Sequence, residues 1–250
     1  MRIMSFNLLC SGSGENVMKK RKKAAAKAII NYSPDTLGVQ EATPAWMTWL
    51  KKSLTDYDFV GVGRENGKNR GEYSAVFYLR EKFSLIDSGN FWLSETPEKP
   101  SRGWDAACIR ICTWAVLENK ENGSRFAHIN THLDHVGPIA IGNGVDMILK
   151  KAGSFDLPVV CTGDFNLFEG GEFYQRLMSG TLRDTKHLAP DTMDSRTFHN
   201  YKTDPDVGGV IDFVLVNDKV KPLVYRVVTE EIDGRLPSDH YPVYADVELI

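Results

Sequence analysis

An α/β protein built from two mixed β-sheets packed face to face is the architecture this sequence predicts, and three observations predict it. The chain opens strand, helix, strand, helix, which favours an α/β organisation. Its middle then turns to β-type runs with short connections, and antiparallel hairpins of that kind do not fit a doubly wound parallel sheet. Along nearly the whole chain, polar side chains end or interrupt apolar runs, the pattern expected where strand ends converge on one rim.

Arg2 to Leu9 reads as a strand ending at Asn7, broken by Gly12 and Gly14. Glu15 to Tyr32 reads as a helix, with Val17, Met18, Ala25, Ala28 and Ile29 at helical spacing and a lysine-rich solvated face. Asp35 to Gln40 is a second strand, after which Thr43 as N-cap and Pro44 at the first helical position open a helix to Leu54. Phe59–Val62, Tyr73–Leu79, Phe83–Leu93, Ile109–Glu118 and Arg125–Thr131 are the β-type runs of the middle. Two polar loops, Arg64 to Glu72 and Ser94 to Ala107, interrupt them and are expected to wall a cleft, because long ordered loops in compact domains tend to be functional. Gly137 to Ala152 reads as a helix weakened by Gly142 and Gly144, and Glu172 to Met178 as another. A polar, mobile-looking loop from Ala189 to Gly209 precedes the closing strands Val210–Val216, Leu223–Thr229 and Tyr241–Leu249.

With 250 residues, 42% hydrophobic and 25% charged, the chain can bury a large core in a single domain spanning residues 1–250. A net charge of −3 argues against a tight nucleic-acid binder that relies on bulk electrostatics, while a phosphorylated small molecule or a transient polymer contact fits. Four cysteines form no CxxC pair and read as structural thiols, so a cytoplasmic location is expected. No leader and no apolar run long enough for a membrane span is visible, and nothing points to an obligate protein partner.

Leu157 to Asn166 is the most informative stretch. A short apolar run delivers Gly163 and then Asp164 and Asn166, whose side chains share one face in extended geometry. A carboxylate can accept a proton from water while a carboxamide donates to a phosphoryl oxygen. Asn7, Glu41, His132, Asp134, Asp212, Asp239 and His240 also follow or break apolar runs. Glu41 with Asn7 and Asp239 offers the hard oxygen donors that Mg²⁺ prefers, His132 and His240 suit a phosphate, and Asp212 can orient a histidine. Together these residue types match metal-assisted phosphoester hydrolysis.

Ser5-Phe6-Asn7, Gln40-Glu41, Asn130-Thr131-His132-Leu133-Asp134-His135, Gly163-Asp164-Phe165-Asn166, Ile211-Asp212-Phe213 and Ser238-Asp239-His240-Tyr241-Pro242-Val243 occur in an order that resembles the endonuclease/exonuclease/phosphatase superfamily. Phe91 to Pro97 and Trp104 to Ala107, with Arg110 and Thr113-Trp114, resemble its bacterial branch similar to deadenylase and nocturnin-like enzymes. The resemblance covers the whole chain and implies a four-layer α/β/β/α sandwich with the site at one edge of the paired sheets. It implies that Asp164 activates water beside Asn166, that Asp212 orients His240, and that His132 stabilises the transition state or assists the leaving group. It further implies a metal site of Glu41, Asn7 and Asp239 taking Mg²⁺ or Mn²⁺, and a phosphate contact from Arg110. His199 and Trp104, each in a loop, are expected as substrate contacts, and His135 as a residue that holds a neighbouring loop.

The expected activity is hydrolysis of an RNA- or nucleotide-type phosphoester, with single-stranded nucleic acid or a phosphorylated small molecule as substrate. A phosphoinositide or phospholipid head-group phosphatase is the alternative, and an exposed apolar lip at the cleft would favour it. A catalytically silent binding module is the third reading, set against the fact that no core position of the motifs is missing.

Overall fold

The computed structural model describes residues 1–250. Strand β1 (Arg2–Asn7), helix α1 (Met18–Tyr32), strand β2 (Thr36–Ala42) and helix α2 (Pro44–Ser53) open the chain. Five strands follow: β3 (Tyr57–Val60), β4 (Tyr73–Leu79), β5 (Phe83–Trp92), β6 (Ile111–Asn119) and β7 (Arg125–His132). Helix α3 (Pro138–Gly153), strand β8 (Val159–Asp164) and helix α4 (Glu172–Met178) come next. A short passage of β9 (Arg183–Asp184), α5 (Thr185–Leu188) and β10 (Asp191–Thr192) then leads to β11 (Asp212–Val216), β12 (Val220–Val227) and β13 (Val243–Leu249).

The strands form a seven-stranded sheet, β10-β12-β13-β1-β2-β4-β3, and a six-stranded sheet, β5-β6-β7-β8-β11-β9. Both are mixed: β1 runs parallel to β2 and β7 parallel to β8, while β13 and β11 pair antiparallel at their flanks. Strand alternation sends successive side chains to opposite faces, so each sheet needs two partners. Three large apolar clusters supply them. Ile3, Val76, Phe126, Val160, Val214, Val243, Ala245 and Val247 fill the space between the sheets. Met4, Phe6, Leu37 and Val39 face outward against Ala25 and Ile29 of α1 and Trp46, Met47 and Leu50 of α2. Cys112, Ile129, Cys161 and Phe213 pack against Ile141, Val145 and Ile148 of α3 and Tyr174 and Leu177 of α4. The order helix, sheet, sheet, helix is the four-layer sandwich expected. No helix is long and apolar enough to cross a membrane.

The structure moves several expected boundaries. Helix α1 starts at Met18 because Gly14–Asn16 forms a separate 3₁₀ turn, whose Asn16 carbonyl accepts from Arg21 Nε. Strand β12 starts at Val220, ahead of the expected Leu223, and Pro222 is accommodated at a register shift between Pro222 and Val224. Strand β13 starts at Val243, since Tyr241 N–H bonds Thr197 O and Pro242 has no N–H to give. The passage β9-α5-β10 carries elements too short for any periodicity to show. In α3 the two glycines are close-approach positions: a Cβ at Gly142 would lie 3.0 Å from Arg176 Nη1 and one at Gly144 3.0 Å from Leu133 Cδ2.

The segment expected as a mobile loop before β11 is pinned. Thr197 Oγ1 accepts the backbone N–H of Ile211 and Asp212, each at 3.0 Å, and His199 N–H bonds Asp239 O at 3.0 Å. This ties it to Asp212 at the start of β11 and to the segment before β13 that carries His240.

Candidate active site

Between the sheets, polarity changes along each strand. Same-face positions run Ile3, Ser5, Asn7 on β1; Phe126, His128, Asn130, His132 on β7; Val160, Thr162, Asp164 on β8; and Val216, Val214, Asp212 on β11. One end of the interlayer is therefore hydrocarbon, and the other carries ionisable groups. The middle is a buried hydrogen-bonded layer. Gln40 Nε2 donates to Ser5 Oγ at 3.1 Å and to Asn130 Oδ1 at 2.7 Å, and Thr162 Oγ1 donates to the same oxygen at 3.0 Å. Asn130 Nδ2 donates to Val39 O and Ala75 O, so the layer stitches one sheet to the other. His128 is fully buried against Thr162 and belongs to this layer.

At the polar end lies a cleft of about 320 Å³ lined by Glu41, Arg110, His132, Asp164, Asn166, Asp239 and His240, all expected from sequence. Glu41 has a left-handed backbone, φ 57°, at the register irregularity between Val39 and Ala42 in the β2–β4 pairing. Its Oε2 accepts Cys10 N–H at 2.7 Å and its Oε1 accepts Asn7 Nδ2 at 3.1 Å. Burial alone would raise its pKa, but these donors outweigh burial and hold it below the ordinary value.

Asp164 Oδ2 accepts Asn7 Nδ2 at 2.8 Å and stands 3.3 Å from His132 Nε2 and 3.8 Å from His240 Nε2. Burial pushes its carboxyl up, the positive His240 draws it back, and Asp212 and Glu41 add to the rise. His240 donates from Nδ1 to Asp212 Oδ2 at 2.8 Å. Burial would lower the His240 pKa, yet the carboxylates of Asp212, Asp164 and Asp239 outweigh burial and lift it, which favours the cationic ring. His132 behaves oppositely: burial, then the fields of Arg110 and Arg64, press its pKa well below the ordinary value. Asp239 is raised, by burial first and by Glu41 among its neighbours.

Four expectations need correcting. Asp164 and Asn166 do not share a strand face, because β8 ends at Asp164 and Asn166 has φ 50°. An Asx-type turn brings them together: Asn166 N–H bonds Asp164 Oδ1 at 3.0 Å, and Asn166 Nδ2 reaches His132 Nε2 and Leu133 O, each at 3.0 Å. Asn7 is fully buried behind the cleft and presents its N–H donors to Glu41 and Asp164, while its oxygen accepts Leu9 N–H, so it braces carboxylates instead of facing a cation. His199 is fully buried, with its ring stacked on Tyr241 at 4.1 Å, and its neighbour Phe198 lines the cleft in its place. Trp104 is likewise outside the lining, its N–H held by Glu95.

Arg64 and Glu72 line the cleft from the loop expected to wall it, whereas sequence reasoning missed Cys10, Cys108, Phe198 and Ile211, which line it too. Glu72 directly precedes β4 and shows the same carboxylate-beside-apolar-run signal that marked the others. It pairs with Arg64 through two contacts of 2.9 and 2.8 Å, and the loop carrying Arg64 is further held by Trp92 Nε1 donating to Arg64 O. Trp92 is therefore a packing residue.

The donor set fits a hard divalent cation. Glu41 and Asp239 bring carboxylates into one buried cleft where each disfavours the other's charge, and Glu41, His132 and Asp164 put ligand atoms within 4.8 Å of one another. A cation relieves that repulsion.

The sandwich, with buried carboxylates and histidines gathered at one rim, has the make-up of a phosphoester-hydrolysing enzyme. Residues 4–240 match the Endonuclease/Exonuclease/phosphatase family, and the chain belongs to it. Members of this family are metal-dependent phosphoesterases. An endonuclease/exonuclease/phosphatase from Bacteroides vulgatus has a solved structure 33% identical, covering 100% of this chain and 98% of that one, with a TM-score of 0.95. A mannosyl-6-phosphatase from Bacteroides thetaiotaomicron is 31% identical over 100% of both chains, with a TM-score of 0.94. The CCR4-Not complex 3'-5'-exoribonuclease subunit Ccr4 of Candida albicans is 22% identical over 99% of this chain, which spans only 41% of that protein's length. The resemblance read from the motifs is borne out, as is the fold.

Proposed function

We propose that this protein is a Mg²⁺- or Mn²⁺-dependent hydrolase of small phosphorylated molecules, in which Asp164 takes a proton from water for in-line attack on phosphorus. The observation that carries this is the Asp164 carboxylate, fixed by Asn7 Nδ2 at 2.8 Å and Asn166 N–H at 3.0 Å between two histidines. A carboxyl whose pKa burial has raised is a better proton acceptor than an ordinary one. His240, held by Asp212, keeps its Nε2–H for a phosphoryl oxygen and stabilises charge developing there. His132, kept neutral and held by Asn166, confines the base on its other side. A divalent cation held by Glu41 and Asp239 supplies Lewis-acid stabilisation of the phosphoryl oxygens when bound.

A cleft of about 320 Å³ supports a small substrate, and the full-length likeness to a mannosyl-6-phosphatase supports a phosphorylated sugar. The RNA- or nucleotide-type substrate is supported by the similarity to Ccr4. The phospholipid head-group reading has its own support, because Val136, Ile139 and Phe168 are exposed, 61%, 58% and 59%, close in sequence to the cleft's His135 and Asn166.

The test is hydrolysis of mannose 6-phosphate, NADP, poly(A) RNA, inositol polyphosphates and a phosphatidylinositol phosphate, with Mg²⁺ or Mn²⁺ against EDTA. Metal-dependent release of phosphate from the sugar, lost in Glu41→Ala, is expected. Turnover of poly(A) alone, or turnover undiminished by EDTA, would overturn this reading.

A further inference from the structure

Arg110 is 5% exposed, and its guanidinium makes a single hydrogen bond within the protein. Nη2 donates to His135 Nδ1 at 3.0 Å, while Nε has no hydrogen-bond partner and lies 3.5 Å from Asp134 Oδ1. Asp134 is already committed: its oxygens accept the backbone N–H of Ala107, Cys108, Val136 and Gly137. The same arginine fixes the His135 tautomer. Guanidinium only donates, so the Nδ1 that receives it carries no proton and Nε2 keeps its N–H.

The other cations of the cleft are held by their carboxylates more closely than Arg110 is by Asp134. Arg64 is paired through two contacts with Glu72, and His240 with Asp212. Arg110 and His135 both line the cleft, where His135 is exposed and the one hydrogen bond of each side chain is the one they make to each other. The Arg110 Nη donors not bonded to His135 and the His135 Nε2–H are therefore free to meet an anion that enters the cleft.

We propose that Arg110 and His135 are a specificity-determining pair that reads the second negative charge of a phosphomonoester, so that the enzyme prefers monoester dianions to diesters. A monoester has one more unesterified oxygen and one more charge than a diester, and a planar guanidinium beside an imidazole N–H matches that oxygen. The inference rests on the phosphoesterase reading and names its substrate class.

The experiment compares p-nitrophenyl phosphate with bis-p-nitrophenyl phosphate at pH 8 for the parent, Arg110→Gln, His135→Ala and His135→Gln. In parallel, binding of inorganic phosphate and of dimethyl phosphate is measured by calorimetry in EDTA. Arg110→Gln is expected to lower kcat/KM for the monoester about tenfold more than for the diester, the loss of one charge-assisted hydrogen bond. His135→Ala is expected to show the same bias mainly in KM, and His135→Gln, which keeps an N–H donor, to recover part of it. Inorganic phosphate should bind more tightly than dimethyl phosphate, with the preference lost in Arg110→Gln. Equal losses on both esters, or equal binding of both anions by the parent, would overturn the proposal. If neither ester is hydrolysed, the phosphoesterase reading has failed, and the binding preference still decides the anion site.

Discussion

Asp164 carries a cost that its neighbours offset only in part. Its carboxyl is 2% exposed, and burial holds its folded pKa above the unfolded one. For such a group the cost is fully present above the folded pKa and fades as pH falls toward about 4, where the unfolded carboxyl also takes up its proton. Asp164→Asn is therefore expected to melt at a higher temperature than the parent at pH 8 in EDTA, with the gain shrinking toward pH 4. Its turnover should fall by about 10²–10⁴-fold, the usual worth of a general base. Calorimetric melting and steady-state assays check the two halves; a variant that is less stable at pH 8 and fully active would refute both. The residue types and their order were legible at this scale. How Asp164 and Asn166 meet was not, because strand alternation predicts a shared face while the chain turns through a left-handed Asn166.

At the scale of elements, the strands work as carriers that place three or four graded side chains each. Gly38 of β2 shows how tightly the middle layer is fitted: a Cβ there would lie 2.0 Å from Thr162 Oγ1 and 2.5 Å from Asn130 Oδ1. Gly38→Ala must push the sheets apart and is expected to cost about 3 kcal/mol in urea denaturation, with activity reduced because β7 and β8 carry His132 and Asp164. Asp134 does a comparable job for loops, joining the segment before β6 to the turn before α3 through four backbone N–H groups. Burial would raise its pKa, but these donors outweigh burial and bring it from 3.8 down to about 2. A depressed carboxyl contributes stability that is present above about pH 4 and lost as pH falls through about 2. Asp134→Asn is expected to lose about 2 kcal/mol at pH 7, the worth of hydrogen bonds to a charged group, and the gap to the parent should narrow near pH 2. Urea titrations at both pH values decide it. Strand and helix existence was legible from apolar spacing; the ends at Val220 and Val243 were not, because they depend on a bulge and on hydrogen bonds from distant loops.

For the whole molecule, the three apolar layers hold both sheets rigidly enough that ionisable groups from β2, β7, β8, β11 and the segment before β13 can stay buried at one rim. Like charges kept that close favour a bound cation, so metal binding and folding are linked. At a Mg²⁺ or Mn²⁺ concentration about 100 times Kd, the linkage is worth about 2.7 kcal/mol, which for a chain of this size raises Tm by about 5–10 °C. Differential scanning fluorimetry with and without EDTA measures it, and Glu41→Ala should abolish the shift. A shift of equal size in that variant would place the cation elsewhere.

The sequence by itself determined the α/β class, the two mixed sheets and most of the lining of the cleft, because apolar periodicity and polar strand ends are local signals that survive without a partner. Only the tertiary structure decided that Asn7 braces carboxylates, that His199 is buried, and that Cys10 and Phe198 face the cleft. Those outcomes depend on which side chains meet across the sheets and loops, and the distance between residues far apart in the chain is set by packing.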